Sequence, residues 1–350
     1  MERRREQLRD RRKVISYLGI ILVLLPLAVL YLLMGPTGSL AQGWNALLSL
    51  LGLPAGDYPQ LLPSILAYRA LRLGIAVVVG FTLSFSGAAL QNMLQNPLAD
   101  PYVLGVSAGA GFGATLASYL QLGKGFWGVS AVSVFAFLGA MGAVTIVYSL
   151  ARRRGNTSTG SLIIGGIIVS SFLSAGIIFL LALAPLRDQH QVLLWLLGDI
   201  SNPSISFPHL LAIFLVSLLG FFALLFLGRE LDILSLGEEE ALNLGVDVGK
   251  VRMAIFIIVS LSCAMVVAVS GLIGFVGIVV PHAARRLVGS GARRLLPLSA
   301  LMGAVIILSA DGVSRLLLER LAIPIVPVGV ITAFIGAPYF LFIYFRRMRG

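Results

Sequence analysis

The closest match to a catalytic pattern in these 350 residues is Gly105-Val106-Ser107-Ala108-Gly109, a GxSxG spacing in which the serine could act as an acyl-transfer nucleophile. Such a serine needs a strand-turn-helix setting, or a histidine at the same membrane depth in an intramembrane protease. Here it lies in a glycine- and alanine-rich apolar run, where the spacing arises by chance. The stretch from Gly245 to Lys250 has the lysine of a phosphate-binding loop, but Val251 follows it and the spacing is short, so the chain is not expected to hydrolyse nucleotide. A single cysteine, Cys263, sits in an apolar run; it permits neither a disulfide framework nor a cysteine metal site within one chain, and reads as a small packing residue. Asp311 lies four residues before Arg315, the spacing of an ion pair on one helix face. It falls toward the outer end of its span, and no ionisable residue falls at the middle of one, which disfavours a carrier driven by protons or sodium. No catalytic residue, cofactor or metal is expected.

These residues are carried by apolar runs. A helix needs about 20 residues to cross the hydrocarbon of a bilayer, and eight stretches qualify: residues 14–34, 71–94, 101–122, 126–150, 162–186, 207–227, 295–308 with a polar extension to Arg315, and 323–345. The run 253–281 decides the topology. As one span it gives nine crossings and divides the 26 basic residues 15 inside against 11 outside. Broken at Gly271, Gly274 and Gly277, it gives ten crossings and a division of 20 to 6. Because Lys and Arg concentrate in cytoplasmic loops, ten crossings with both termini cytoplasmic is the reading. The expected fold is an all-α membrane protein, a polytopic bundle of ten transmembrane helices.

Composition agrees: 58% hydrophobic residues against 12% charged, with a mean hydropathy of +0.97, leave too little polar surface for a soluble domain. The net charge of +11 sits at helix ends rather than along a groove, and anionic lipid accounts for it without nucleic acid. The N-terminal apolar stretch is too long for a secretory signal core and reads as a retained helix. The domains are then a basic cytoplasmic tail (1–13), one transmembrane domain (14–345) and a second cytoplasmic tail (346–350). Within the domain, 228–252 is the one interior loop long enough for structure of its own. Its acidic Glu238 to Glu240, followed by Ala241, Leu242 and Leu244 and stopped by Gly245, predicts a short helix. Outer segments 35–67 and 185–207 are predicted to hold short helices near 46–53 and 192–198. Ser86-Gly87 with Pro97, and Ser270-Gly271 with Pro281, share one spacing and hint at an inverted repeat.

Several blocks carry a resemblance. Arg69-Ala70-Leu71-Arg72, VGFTLSFSGAALQ (79–91), NPLADPYVLGVSAG (96–109), LGEEEALNLGV (236–246), SGLIGFVGIVVPH (270–282) and PVGVITAFIGAPY (327–339) resemble, in order, the iron-siderophore, haem and cobalamin importer permeases of the ABC transporters. That resemblance implies a type II importer. Two copies of a ten-helix permease would enclose a pathway, with two cytoplasmic ATPase subunits beneath and an extracytoplasmic binding protein delivering a metal chelate, in a prokaryotic plasma membrane.

It also implies roles. A coupling helix for the ATPase falls on Glu238, Glu239, Ala241, Leu242, Gly245 and Val246. Outward arginines that dock carboxylates of the binding protein fall on Arg69, Arg72 and Arg315; planar guanidinium forks suit that contact, and snorkelling to head groups is the plainer alternative. Helices five and ten would line the pathway, with Gly165, Gly166, Ser170, Ser171 and Ser174 forming a weakly interacting wall for a bulky cargo. Ferric siderophore or haem is the expected cargo, with cobalamin, another corrinoid, or molybdate as alternatives. His190 and Asp199, in the outer segment, are two residues whose contact with cargo stays open.

Overall fold

The computed structural model describes residues 2–33, 62–122, 129–153, 156–201, 205–321 and 326–348, together with Trp44 and Leu48. The predicted outer piece at 46–53 lies almost wholly outside these residues. The described chain is helical apart from a two-stranded hairpin, β1 (Arg152–Arg153) against β2 (Asn156–Thr157). The helices are α1 (Glu2–Leu33), α2 (Leu62–Met93), α3 (Val106–Tyr119), α4 (Ala131–Ala151), α5 (Thr159–Leu183), α6 (Leu186–Leu196), α7 (Phe207–Phe226), α8 (Gly228–Leu234), α9 (Glu238–Asn243), α10 (Val248–Ser270), α11 (Val276–Val288), α12 (Ala292–Leu321) and α13 (Val328–Met348).

Seven of the described helices are long and apolar enough to cross a membrane: α1, α2, α4, α5, α7, α10 and α12. The other three predicted runs hold shorter helices. α3 has 14 residues, α11 has 13, and the apolar part of α13 is Val328–Phe342. At 1.5 Å per residue, a helix of 14 residues is about 21 Å long, less than the hydrocarbon thickness. Extra backbone at these places must therefore find its hydrogen bonds inside the protein.

The break after α10 shows how. Gly271 closes α10 with φ 65°, a conformation that costs a side chain most, and the chain runs on to Phe275 before α11 begins. A Cβ on Gly271 would collide with the Trp195 carbonyl, so the break also packs directly against the end of α6. The Ile273 N–H, freed from any helix, donates to the Tyr102 hydroxyl at 2.9 Å. Tyr102 is held by a 3-10 turn, Pro101–Leu104, which Asp100 caps by accepting the Tyr102 N–H at 2.9 Å. Asp100 itself is buried, facing Gly277 of α11. Asp100 directly precedes the predicted span 101–122, and its position before Pro101 suits an N-cap.

α2 runs through the middle, buried on most sides by α12, α10, α11 and α7, while α1 lies on the outside with most of its apolar surface open to lipid. Phe81 and Phe85 of α2 meet Phe221 of α7 with ring centroids 5.0 and 5.6 Å apart. Cys263 is fully buried in this core, as a packing residue would be. The two Ser-Gly pairs differ in local setting: Ser86-Gly87 lies inside α2, whereas Ser270-Gly271 ends a helix.

Candidate functional site

Two regions at opposite ends of the bundle hold the residues singled out by sequence. At one end α8 and α9 cap the bundle. α9 starts after Gly237 with three acidic residues in its first turn, Glu238 to Glu240, favourable against the partial positive charge of a helix N-terminus. Its other end closes as a Schellman motif: the Val246 N–H donates to Ala241 O and the Gly245 N–H to Leu242 O, both at 3.0 Å, with Gly245 at φ 78°. The predicted short helix and its glycine stop are both present, the helix being six residues long.

This small unit is fastened to the bundle at several points. Ala241 is fully buried. Arg252, in the first turns of α10 and 3% exposed, pairs with Glu238 at 2.9 Å. Asp232 of α8 accepts the Ala292 N–H at 2.6 Å, capping α12, and Gln95, just past α2, donates to Leu234 O at 2.8 Å. Asp247 caps α10 by accepting the Lys250 N–H at 3.1 Å and pairs with the Lys250 ammonium at 2.9 Å; these bonds hold its carboxyl below the ordinary range. Leu236, Leu242 and Leu244 are left more than half exposed on the cap. A push on that apolar surface would reach α2, α10 and α12 together.

At the other end the three arginines come together, but not as outward prongs. Arg69, Arg72 and Arg315 are 1%, 5% and 7% exposed, so at that end they are enclosed by the protein rather than projecting from it. The reason is Asp311, fully buried on α12. Arg72 grips it with two bonds, Nε to Oδ2 at 3.1 Å and Nη2 to Oδ1 at 2.6 Å, while Arg315 donates Nε to Oδ2 at 3.1 Å. The predicted i, i+4 pair is therefore real, and Arg72, 239 positions away, shares it. Tyr31 of α1 bonds both Asp311 and Arg315, and the Arg315 guanidinium lies 3.9 Å from the centre of its ring. Arg69 donates Nη1 to the last carbonyls of α1, Leu32 at 2.9 Å and Leu33 at 3.0 Å, satisfying a helix C-terminus. Among the described side chains the cluster sets three guanidiniums against one carboxylate.

The proposed pathway residues on α5 divide. Gly165 and Gly166 are buried against Val147 and Val103, letting α5 pack on its neighbours rather than facing an open surface. Ser171 and Ser174 are exposed, and Ser170 is half-buried. Ser107 lies in the first turn of α3 behind a 3-10 turn, not on a strand-to-helix elbow, and nothing in the structure supports the hydrolase reading. His190 lies midway along α6 and Asp199 just beyond its end.

Comparison with known proteins agrees with this architecture. Residues 20–346 match the model of the FecCD transport family. An uncharacterised ABC transporter permease of Bacillus subtilis is 42% identical over 297 residues, 84% of this chain and 82% of its own length. The cobalamin import system permease of Halobacterium salinarum is 38% identical, over 79% of this chain and 71% of its own length; the hemin transport permease of Yersinia pestis is 35% identical, over 80% and 82%. A solved metal-chelate type ABC transporter in an inward-facing conformation superposes with a TM-score of 0.78 at 31% identity, covering 95% of this chain and 99% of that one. The chain is a multi-pass membrane permease of the ABC transporters and belongs to the FecCD transport family.

Proposed function

We propose that two copies of this chain form the transmembrane pathway of a binding-protein-dependent importer in a prokaryotic plasma membrane, driven by two separate cytoplasmic ATPase subunits. The observation that carries the reading is α9: a short closed helix with exposed leucines, fastened by Arg252 and by α8 to three membrane helices at once. In this reading the α9 end is cytoplasmic, the chain crosses ten times with both termini inside, and nucleotide-driven closure of the ATPases moves α2, α10 and α12 through α9.

The open face of α5, with Ser171 and Ser174, turns toward the second copy. At the outer end the binding protein supplies carboxylates to Arg69, Arg72 and Arg315, in competition with Asp311; the excess of guanidinium over carboxylate there supports this. The cargo is a metal chelate of the ferric siderophore or haem class, as named for the iron-chelate and hemin permeases among the relatives. A corrinoid is the second reading, supported by the 38% identity to a cobalamin permease.

The test is ATP hydrolysis by the permease and ATPase assembled in nanodiscs, with binding protein loaded in turn with ferric siderophore, haem or cobalamin. Stimulation by one loaded binding protein supports the assembly and identifies the class. Stimulation by none of them, with the complex intact, contradicts the cargo assignment.

A further inference from the structure

Four arginines flank the turn 289–291 that joins α11 to α12 at the α9 end: Arg285 and Arg286 in the last turn of α11, Arg293 and Arg294 in the first turn of α12. None of them pairs with a carboxylate among the described side chains. Two are engaged within the fold. Arg285 donates Nη2 to Asn92 Oδ1 at 3.0 Å, and Asn92, buried at the end of α2, donates Nδ2 to Ser290 O at 3.3 Å, which fixes the turn. Arg293 lays its stem beside Gly228 at the start of α8, where the Asp232 carboxylate is already engaged by the Ala292 N–H. Arg286 and Arg294 are left, and both are exposed.

α1 passes this turn with its outer face open. It lies against both α11 and α12, and Tyr17 pins it there by donating its hydroxyl to Arg294 O at 2.6 Å. The Arg294 guanidinium is close enough to that hydroxyl to act on it electrostatically. Ile15 and Leu18 on either side of Tyr17, and Leu287 beside Arg286, are exposed apolar side chains. An apolar surface that ends at a tyrosine and two exposed guanidiniums marks the depth at which hydrocarbon gives way to head groups. Residues 2–13 of α1, before Tyr17, add seven Lys and Arg against three Asp and Glu, so the charge carried to this end of the helix is positive as well.

We propose that the seam between α1 and the α11–α12 turn holds one anionic phospholipid, its phosphate taken by Arg286 and Arg294. A guanidinium fork matches the oxygens of a phosphate diester, and two of them on a turn fixed by Asn92 offer that match without ordering a loop first. The acyl chains lie along the open apolar face of α1. Selectivity comes from the rest of the head: an uncharged glycerol is accepted beside Arg286 and Arg294, whereas the ammonium of a zwitterionic lipid meets a field of its own sign.

The experiment is native mass spectrometry of the full chain exchanged into equal amounts of phosphatidylglycerol and phosphatidylethanolamine. The wild type should retain phosphatidylglycerol roughly 25-fold over phosphatidylethanolamine, about fivefold for each of two arginines. Arg286→Gln with Arg294→Gln should abolish the preference and, because both side chains are exposed, leave the thermal midpoint where it was. Arg229→Gln with Lys250→Gln removes the same charge from exposed positions at the same end and should leave the preference intact. Equal retention of the two lipids by the wild type, or an unchanged preference without Arg286 and Arg294, would overturn the proposal. An equal loss in the Arg229 and Lys250 variant would overturn it too, since the attraction would then be diffuse charge rather than a site. So would displacement of the lipid by excess inorganic phosphate, which would make this a free-anion site, or its release when the ATPase assembles, which would give the surface to that partner.

Discussion

At one end of the bundle Asp311 is fully buried among Arg72, Arg315 and Tyr31, whereas at the other Glu238, with half of its side chain exposed, meets the buried Arg252. Both are ion pairs between distant segments, yet their energetics differ in kind. Charges taken out of water are costly and must be matched, so removing one partner leaves the other stranded. At the other pair solvent reaches Glu238 but not the buried Arg252, so the glutamate gives up little on exposure while the arginine still needs an acceptor. The enclosed cluster ties α1, α2 and α12 into one block. The open pair lets α9 hold its place while its leucines remain free for a partner.

That contrast can be broken at either end. Asp311→Leu strands two buried guanidiniums and should cost about 3–5 kcal/mol, seen as a large fall in the thermal midpoint of the detergent-purified chain. Adding Arg72→Met should recover part of it, and a midpoint unchanged by Asp311→Leu would mean that the cluster does not hold the block together. Tyr31→Phe keeps the ring beneath Arg315 but removes the hydroxyl bonded to two charged groups; the expected loss is about 1.5–3 kcal/mol by the same measurement. Leu242→Asp should leave the midpoint alone and weaken copurification with the ATPase by roughly 30-fold, the effect of an interface residue worth about 2 kcal/mol. Glu238→Gln, which keeps an oxygen for the buried Arg252 guanidinium, should cost about 1–2 kcal/mol, less than Asp311→Leu. A salt-independent loss as large as that of Asp311→Leu would erase the distinction between the two ends.

Local chemistry was readable before any coordinates. The break at Gly271, the helix opened by Glu238 and stopped by Gly245, and the Asp311 to Arg315 spacing depend on neighbours in the chain, and each is present. What could not be read depends on packing between distant segments. Nothing near Arg72 announces Asp311, nothing near Glu238 announces Arg252, and the acceptor for the Ile273 N–H is a tyrosine hydroxyl 171 positions earlier. The arginines were placed as docking groups by the resemblance; what no residue near them announced is that Asp311, fully buried on another helix, engages Arg72 and Arg315. Gly165 and Gly166 read as pathway wall because small residues also suit an open face, and only the approach of Val103 and Val147 separates the two uses.

The central claim is that nucleotide energy enters this permease through α9. Its most direct test is uptake into proteoliposomes holding the permease and its ATPase, with binding protein and radiolabelled ferric chelate outside and ATP within, for wild type and Leu242→Asp side by side. The account predicts uptake by the wild type that needs both ATP and binding protein, and none by Leu242→Asp despite its intact fold. Wild-type rates in Leu242→Asp, or uptake by the permease without its ATPase, would contradict it.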